Sequence, residues 1–312
     1  MTSKLAPPHA ALLLRIETRL EELLPPVLAG QGGLGLAMRD SLLSPGKRLR
    51  PLITAIVAAD LGGSTSAAID AGCAVEMVHA ASLILDDLPC MDDAALRRGR
   101  PAIHRAHGED VAVLASIAML SEAFAVLSRI EALPADRRSA GVGILAAAVG
   151  SAGLVAGQFQ DLRGGTSPRT MGDITDANGR KTGALFSAAV DLGAVVAGAA
   201  PSQRRELSAF AAELGLAFQL LDDLLDVSGD TLSTGKDVGQ DAGKSTVVAL
   251  VGIDRTERLV ARHLDTCRAH LTSVFGEDSR LHALIDGLAL PAMIEPTGPA
   301  PMPVLETEGG RR

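Results

Sequence analysis

The stretch "SLILDDLPCMDDAALRRGRPAIH", residues 82–104, carries four aspartates within eight residues directly after an apolar run, and three arginines follow almost at once. Carboxylates crowded so closely repel one another unless a group of opposite charge lies among them. Asp86 and Asp87 close the apolar run, because Pro89 disfavours continuation of a helix. The chain can then turn and bring Asp92 back toward Asp86. We therefore expect a helix that ends in convergent carboxylates.

A second stretch, "LLDDLLD" at residues 220–226, repeats this pattern. Asp222 and Asp226 are four residues apart and share a helical face, with Asp223 beside them. Two such helix ends suit magnesium, which takes oxygen ligands from one or two carboxylates plus substrate phosphates. No histidine or cysteine stands at ligand spacing from these acids, which argues against zinc or iron. Either cluster alone would equally fit a solvated helix end, but the pair favours a metal site.

The composition predicts an all-α protein. Of the 312 residues, 47% are hydrophobic but only 2% are aromatic, and helix-forming residues outweigh β-branched ones. The net charge of −8 and the lack of a basic stripe with interleaved aromatics argue against a nucleic-acid partner. The three cysteines are far apart and form no CxxC motif, as expected of reduced thiols in a cytoplasmic protein.

Long Ala/Leu-rich segments alternate with short Gly/Pro joins and no shift in composition, which favours one helical domain over residues 1–290. The last 22 residues, 291–312, contain five prolines and predict a flexible tail. The predicted helices cover residues 10–24, 49–61, 66–87, 109–131, 137–161, 173–178, 182–199, 203–226, 244–251 and 255–275.

One segment has the length of a membrane span, because Ser139–Gln160 carries no charge over 22 residues. It contains five glycines and many alanines, however, which favours a buried helix with close glycine contacts. The first 20 residues have only a three-leucine run before Arg15, which argues against a secretory signal. We expect a soluble protein with no transmembrane segment.

Basic groups alternate with the acidic clusters along the chain. They occur in "SPGKRLRP" (44–51), "RRGRP" (97–101), "GRKTG" (179–183) and "TGKDVGQDAGKST" (234–246). Arginine forks and lysine charges recognise phosphate oxygens. Each group alone fits a solvated surface charge, but the alternation indicates a phosphorylated ligand. The "GKST" at 243–246 is not a P-loop. That motif would need a glycine at position 238, which is Val238 here, and a preceding strand.

In order along the chain, "GKRLRP", "MVHAAS", "DDLPCMDD", "RRGRP", "GQFQDL", "KTG", "FQLLDD", "DDLLD" and "GKD…GKST" resemble the motifs of the trans-polyprenyl diphosphate synthase family. The resemblance is to its bacterial geranylgeranyl diphosphate synthase type and covers about residues 10–275. It implies an antiparallel helix bundle around an apolar cavity, and a homodimer. It also implies head-to-tail condensation of isopentenyl diphosphate with allylic diphosphates.

The resemblance further implies a role for each motif residue. Three Mg²⁺ ions would be held by Asp86, Asp92 and Asp222, with Asp87, Asp223 and Asp226 as indirect or water-mediated ligands. Arg97, Lys181 and Lys236 would bind the allylic diphosphate, and Lys47, Arg50, His79 and Arg98 would bind isopentenyl diphosphate. Thr182 and Gln219 would present oxygen dipoles to the carbocation. Phe218 would lie along the prenyl chain or in the core. Gln158 and Asp161 would brace the cavity wall or simply end a helix.

Product length depends, in this family, on bulk about one turn before the first aspartate motif. Ala81 and Ser82 occupy those places here, and their small side chains favour a C20 product, geranylgeranyl diphosphate. A farnesyl diphosphate synthase is the alternative within the family. A terpene cyclase would not need the basic isopentenyl set, and a non-catalytic subunit would be expected to lose one aspartate motif. Carotenoid, quinone and other isoprenoid pathways all consume such products.

Overall fold

The computed structural model describes residues 7–163, 170–228 and 246–293, and this part of the chain is almost entirely helical. The predicted all-α fold is confirmed. In chain order the α-helices are α1 (Pro7–Glu22), α2 (Gly32–Leu42), α3 (Leu49–Asp60), α4 (Thr65–Asp86), α5 (Ile103–His107), α6 (Glu109–Ser128), α7 (Ala135–Val149), α8 (Leu154–Arg163), α9 (Met171–Asn178), α10 (Ala184–Ala197), α11 (Pro201–Ser228), α12 (Val247–Val251), α13 (Ile253–Phe275) and α14 (Arg280–Met293). A hairpin of two short antiparallel strands, β1 (Leu96–Arg97) and β2 (Arg100–Pro101), a π-helical turn (Gly179–Gly183) and a 3₁₀ turn (Gly276–Asp278) complete these elements.

Helices α3, α4 and α10 form the centre of the core, and small residues let them approach closely. A Cβ on Gly72 of α4 would lie 2.7 Å from Pro51 Cα of α3. A Cβ on Gly193 of α10 would likewise lie 2.7 Å from the Thr54 carbonyl oxygen of α3. The alanine-rich composition thus produces tight helix packing with few aromatic side chains. This packing fixes α4, which carries the first acidic cluster at its end.

The ends of α4 follow the sequence prediction. The hydroxyl of Ser64 caps its first turn by accepting a hydrogen bond from the Ala67 amide at 3.3 Å. The helix ends at Asp86, three residues before Pro89. The chain then turns back, because the Asp92 amide donates to the Asp86 carbonyl at 2.9 Å. The expected return of Asp92 toward Asp86 is confirmed.

Several predicted helix boundaries are wrong. Helix α2 was not expected, since glycines at 32, 33 and 35 weaken the helical signal. The predicted helix 137–161 is divided at residues 150–153 into α7 and α8, and the predicted helix 182–199 is preceded by the π-turn. Residues 291–293 continue α14 instead of starting the tail. Residues 294–312 lie outside the described part of the chain, so the extent of the domain and tail stays a prediction.

Three stretches are long and apolar enough to cross a membrane, by length and composition alone. They are Thr65–Asp86, Glu109–Ser128 and Ala135–Arg163, the last of which contains the charge-free segment noted in the sequence. Within α4, 72% of the apolar window is buried inside the protein. Most of the apolar character of α4 is therefore explained by the core that it helps to form.

A buried ion pair joins the basic segment before α3 to α4. Arg48, only 3% exposed, donates from Nη1 to Glu76 Oε1 at 3.1 Å and from Nε to Glu17 Oε1 at 2.8 Å. Glu76 is equally buried. A buried charge that loses its partner is costly because water cannot replace that partner.

We predict that Glu76→Ala lowers the free energy of unfolding by about 3 kcal/mol, because it leaves the buried Arg48 guanidinium with only the half-exposed Glu17 carboxylate. Urea unfolding measures this loss. The matched control is Glu21→Ala, which breaks an exposed pair with Arg39 and should cost less than about 1 kcal/mol. Equal losses in the two variants would contradict the structural importance of the buried pair.

Candidate active site

The first acidic cluster lies where α4 ends. Asp86 and Asp92 are half-buried, whereas Asp87 is buried and binds Arg97 through both carboxylate oxygens, at 2.9 and 3.1 Å from the Arg97 Nε. The pairing fixes Asp87, the most buried of the three carboxylates. Within this cluster Asp87 is therefore a support, and this geometry fits its predicted indirect role.

The hairpin after the cluster places two consecutive arginines in different directions. Arg98 and Gly99 form its tight turn with φ values of 54° and 74°, as in the type I′ turns that favour hairpins. Arg97 therefore reaches Asp87, while Arg98 donates from Nη1 to Ser44 Oγ at 3.0 Å. Separate directions for the two side chains are what binding two different anions requires.

Backbone strain is concentrated around this region. Across the described ranges, the non-glycine residues with positive φ are Arg48, Asp93 and Arg98. Such conformations cost free energy and persist where surrounding structure enforces them, often at functional sites. All three lie in the loops that carry the acidic cluster and the basic groups.

Arg50 and His79 lie next to Arg98 in a strongly positive environment. Burial lowers the pKa of Arg50, and the neighbouring Arg98 lowers it further. The pKa of His79 lies well below 6.5, first because the ring is buried and then because four arginines surround it. The ring is therefore neutral at pH 7, and the guanidinium groups leave a net positive field. This field suits a polyanionic ligand.

A cavity of about 170 Å³ opens beside this basic set, between α2, α4 and the hairpin. Its polar lining includes Ser44, Glu76, His79 and Arg98, and apolar residues such as Ile84 complete the wall. The Glu76 carboxylate lies among the arginines and partly offsets their charge. The sequence pattern did not identify Glu76, because nothing local separates it from other acids in helices.

Phe186 connects the basic set to the second half of the site. The Arg50 guanidinium lies over its ring, with Cζ 4.6 Å from the centroid, a favourable cation–π contact. The Phe218 ring also packs against the Phe186 ring, with ring centroids 5.0 Å apart and an interplanar angle of 55°. This contact agrees with the packing alternative for Phe218, and its place along the prenyl chain stays a prediction. Phe186 was missed because an isolated apolar residue in an apolar helix carries no signal.

Lys181 and Thr182 lie in the π-turn and point to different helices. Lys181 Nζ donates to Asp161 Oδ2 of α8 at 2.8 Å. Thr182 Oγ1 donates to Gln219 Oε1 of α11 at 2.9 Å, and Gln219 Nε2 donates to Asp223 Oδ1 at 2.9 Å. The turn thus contacts the second acidic cluster through one chain of hydrogen bonds.

The second acidic cluster lies in the last turns of α11. Asp222 is exposed, while Asp223 is 6% exposed and accepts the hydrogen bond from Gln219. The two clusters are coupled through basic groups. Lys181 lowers the pKa of Asp86, and the charge of Asp222 raises the pKa of Arg50.

The carboxylates fit magnesium. Burial raises the pKa of Asp86 from 3.8 to about 6, and the neighbouring Asp92 raises it further against the opposing effect of Lys181. A carboxylate destabilised in this way gains most from a bound cation. No group of three metal-ligating side chains occurs within the ranges that the structure describes. Magnesium does not require one, since it combines one or two carboxylates with substrate phosphates and water.

The remaining predicted residues fall into three groups. Lys47 is exposed, and Asp161 holds Lys181, whereas the buried side-chain amide of Gln158 has no hydrogen-bond partner within the described part of the chain. Ala81 is fully buried and Ser82 half-buried, on the turn before the first cluster. Lys236, Lys244 and the side chain of Asp226 lie outside the described residues.

Comparison with known proteins agrees with this geometry. The family described as polyprenyl synthetase matches residues 34–274 of this chain. This chain belongs to the polyprenyl synthetase family. The geranylgeranyl diphosphate synthase of Pantoea ananas is 48% identical over 264 residues, covering 84% of this chain and 86% of the relative. The farnesyl diphosphate synthase of Geobacillus stearothermophilus is 38% identical over 272 residues, covering 86% and 89%.

The fold of this polyprenyl synthetase is also found among solved structures. A geranyltransferase from Helicobacter pylori, complexed with magnesium and isoprenyl diphosphate, superposes with a TM-score of 0.82 at 28% identity. The match covers 93% of this chain and 98% of that one. The isoprenoid synthase fold that the motifs implied is therefore confirmed.

We predict that Asp86→Asn stabilises this polyprenyl synthetase in the absence of metal. A raised pKa of an acid means that the folded state holds the proton more tightly than the unfolded chain does. Ionised Asp86 therefore destabilises the fold increasingly as the pH rises from about 4 to about 6. At about pH 7.5 with EDTA, the variant should gain about 2 kcal/mol in free energy of unfolding.

This gain should shrink as the pH falls below about 6 and vanish at about pH 3, where the wild-type carboxyl is protonated in both states. The control is Asp93→Asn, which changes an exposed carboxylate paired with exposed Arg105 and should shift the stability by less than about 0.5 kcal/mol. A destabilised Asp86→Asn protein at neutral pH would contradict the burial argument.

Proposed function

We propose that the protein is a geranylgeranyl diphosphate synthase that condenses isopentenyl diphosphate head-to-tail with dimethylallyl, geranyl and farnesyl diphosphates. The observation that carries the proposal is the division of charge around α4. Half-buried Asp86 and Asp92 lie at its end, and neutral His79 lies among four arginines two turns earlier. One side suits a metal-bound diphosphate and the other a diphosphate bound without metal.

In the allylic half of the site, Asp86, Asp92 and Asp222 would hold Mg²⁺, which when bound neutralises charge on the departing diphosphate. We propose three ions when diphosphate is bound. Asp87 and Asp223 position these ligands through their bonds to Arg97 and Gln219. Asp226 would act as a further indirect ligand. The cations Arg97, Lys181 and Lys236 bind the diphosphate oxygens.

In the isopentenyl half, Lys47, Arg50, His79 and Arg98 bind the second diphosphate. Arg50 is already desolvated and held over Phe186, so little of its freedom is lost when the anion binds. Neutral His79 can donate one hydrogen bond to a phosphate oxygen without adding charge. Exposed Lys47 closes this set from the solvent side.

Condensation then proceeds in three steps. The allylic C–O bond breaks, and its electron pair leaves with the diphosphate. The isopentenyl double bond attacks the resulting carbocation and forms the new C–C bond. Loss of a proton to the departed diphosphate restores the alkene. The Thr182 hydroxyl donates a hydrogen bond to Gln219 Oε1, so its oxygen lone pairs are available to stabilise the carbocation.

The small side chains of Ala81 and Ser82 support the C20 product, since neither blocks a growing chain beside α4. The relative from Pantoea ananas supports the same product, whereas the relative from Geobacillus stearothermophilus supports the C15 alternative. The higher identity to the first favours geranylgeranyl diphosphate.

We predict that purified protein with Mg²⁺, isopentenyl diphosphate and farnesyl diphosphate forms a C20 diphosphate, because the small side chains of Ala81 and Ser82 would not block a fourth C5 unit. Mass spectrometry of the product identifies its length. A C15 end product from geranyl diphosphate, with farnesyl diphosphate inert, would contradict the C20 proposal and leave a farnesyl diphosphate synthase.

We predict that Ala81→Tyr shortens the product to C15. The side chain at 81 is fully buried on α4, on the turn before the acidic cluster, and a phenol there would fill space that the fourth C5 unit needs. The product ratio is measured by mass, and a melting curve verifies that the variant is folded. An unchanged ratio in a folded variant would place the length determinant elsewhere.

We further propose a soluble, cytoplasmic homodimer built from one helical domain. The outer face of α6 exposes Val113, Leu114 and Ile117 by 37%, 54% and 54%. Adjoining α7 exposes alanines in the charge-free run 139–160. Monomeric proteins seldom expose so continuous an apolar surface. A second copy of this chain, seated on α6 and α7, would bury it.

We predict that Ile117→Arg converts the dimer into a monomer, because a guanidinium would be desolvated at the centre of the interface. Light scattering coupled to size-exclusion chromatography measures the mass. The control is Leu14→Arg, which replaces an apolar side chain that is 70% exposed on α1, outside the proposed interface. The control variant should remain a dimer. A monomeric wild type, or dissociation by both variants, would contradict the proposed interface.

A further inference from the structure

Two glycines touch the backbone of the π-turn from opposite helices. A Cβ on Gly157 of α8 would lie 2.3 Å from the Lys181 nitrogen and 2.7 Å from its Cα. A Cβ on Gly215 of α11 would lie 2.9 Å from Gly183 Cα. Both contacts are with backbone atoms, which cannot rotate away as a flexible side chain could. Only glycine therefore permits α8 and α11 to lie this close to the turn.

Each glycine also precedes, by four residues, the side chain that binds the turn. Asp161, which accepts from Lys181, is four residues after Gly157 on α8. Gln219, which accepts from Thr182, is four residues after Gly215 on α11. Residues four apart share one face of a helix. Each neighbouring helix therefore combines a backbone contact with a hydrogen bond one turn later.

The π-helical form of this turn is part of the same arrangement. A π-turn is rare, widens the helix by one residue and often marks a functional site. Here it separates consecutive side chains toward α8 and α11. Lys181 is thereby held within electrostatic range of Asp86, and Thr182 is joined through Gln219 to Asp223. The turn is therefore linked to the second acidic cluster by hydrogen bonds and to the first by the charge of Lys181.

We propose that Gly157 and Gly215 are positioning residues that hold Lys181 and Thr182 in register with the two acidic clusters. The inference rests on the proposed function and adds a determinant outside the motif side chains that bind substrate. Gly157 acts through Lys181 on the allylic diphosphate. Gly215 acts through Thr182 and Gln219 on the carbocation. Isopentenyl diphosphate, bound by Arg50 and Arg98, is not affected.

The test measures steady-state kinetics of Gly157→Ala with each substrate varied in turn. A methyl group must displace the Lys181 backbone, and a shift of about 1 Å at a reacting centre costs on the order of 100-fold in rate. We expect kcat/KM for farnesyl diphosphate to fall about 10- to 100-fold, while the KM for isopentenyl diphosphate changes less than about twofold. In Gly215→Ala the added methyl meets the turn at a longer distance than in Gly157→Ala. This variant should therefore mainly lower kcat, and by a smaller factor than Gly157→Ala lowers kcat/KM.

The matched control is Gly287→Ala, an exposed glycine of α14 with open space around its Cβ position. Alanine is the better helix former, so this variant should be fully active. A second control combines Gly157→Ala with Lys181→Ala. If Gly157 acts through Lys181, the added methyl should cause less than about a twofold further loss in that background.

The proposal would be overturned if the KM for isopentenyl diphosphate rose by as large a factor as kcat/KM for farnesyl diphosphate fell. A loss of activity on adding Gly157→Ala that persists in the Lys181→Ala background would also overturn it. So would a crystal structure of Gly157→Ala in which Lys181 Nζ remains within hydrogen-bond distance of Asp161, whatever the activity. If Gly157→Ala does not fold, Gly215→Ala decides: an unchanged kcat, or a crystal structure in which Thr182 Oγ1 remains within hydrogen-bond distance of Gln219 Oε1, would overturn the proposal. Wild-type protein without prenyl transfer would instead contradict the proposed function, and the crystal structures would still decide the positioning role.

Discussion

The repulsion between half-buried carboxylates at the end of α4 is the constraint on which the rest of the site depends. Asp86 is partly removed from water and lies in the field of Asp92, so its pKa rises to about 6. The fold maintains this unfavourable arrangement through other contacts, chiefly the Arg97–Asp87 pair and the Asp92 amide bonded to the Asp86 carbonyl. A bound metal ion would relieve the repulsion, so the arrangement favours binding of a cation with its diphosphate.

The basic half of the site carries an excess of positive charge. Arg48, Arg50 and Arg98 lie near one buried glutamate, Glu76; burial lowers the pKa of Arg50 and Arg98, and the charge of Glu76 opposes this only in part. The pKa of His79 is depressed first by burial of the ring and then by the excess of arginine charge, so the ring remains neutral. The positive excess is what a metal-free diphosphate would neutralise. Strained φ angles at Arg48 and Arg98 fit this view, since functional loops often retain local strain.

The sequence predicted the parts of this site that depend on local chemistry. Pro89 after a run of helix formers fixes the end of α4, and paired aspartates at a helix end indicate a cation site from their own repulsion. The roles of Glu76 and Phe186 could not be predicted in this way. Their partners lie 28 and 136 residues away in sequence, Arg48 for the first and Arg50 for the second, and only the packed helices bring them together.

Helix boundaries were missed for a related reason. Glycine weakens any local helical signal, yet α2 begins at Gly32 and is held in place by packing against α4 and α6. The π-turn was hidden for the same reason, since Gly179 and Gly183 read as a break. Its form follows from close contacts with α8 and α11, which the local sequence does not encode. Tertiary packing overrides propensity at these positions.

In the proposed mechanism, two acidic clusters bind one allylic diphosphate together with magnesium. Calorimetric titration with a farnesyl diphosphate analogue, whose bridging oxygen is replaced by sulfur to slow ionisation, tests it directly. Wild-type protein should bind the analogue tightly with Mg²⁺ and at least about tenfold more weakly in EDTA. The variants Asp86→Ala and Asp222→Ala should each weaken the Mg²⁺-dependent binding by a similar factor. Unchanged affinity in EDTA, or in either variant, would contradict the account.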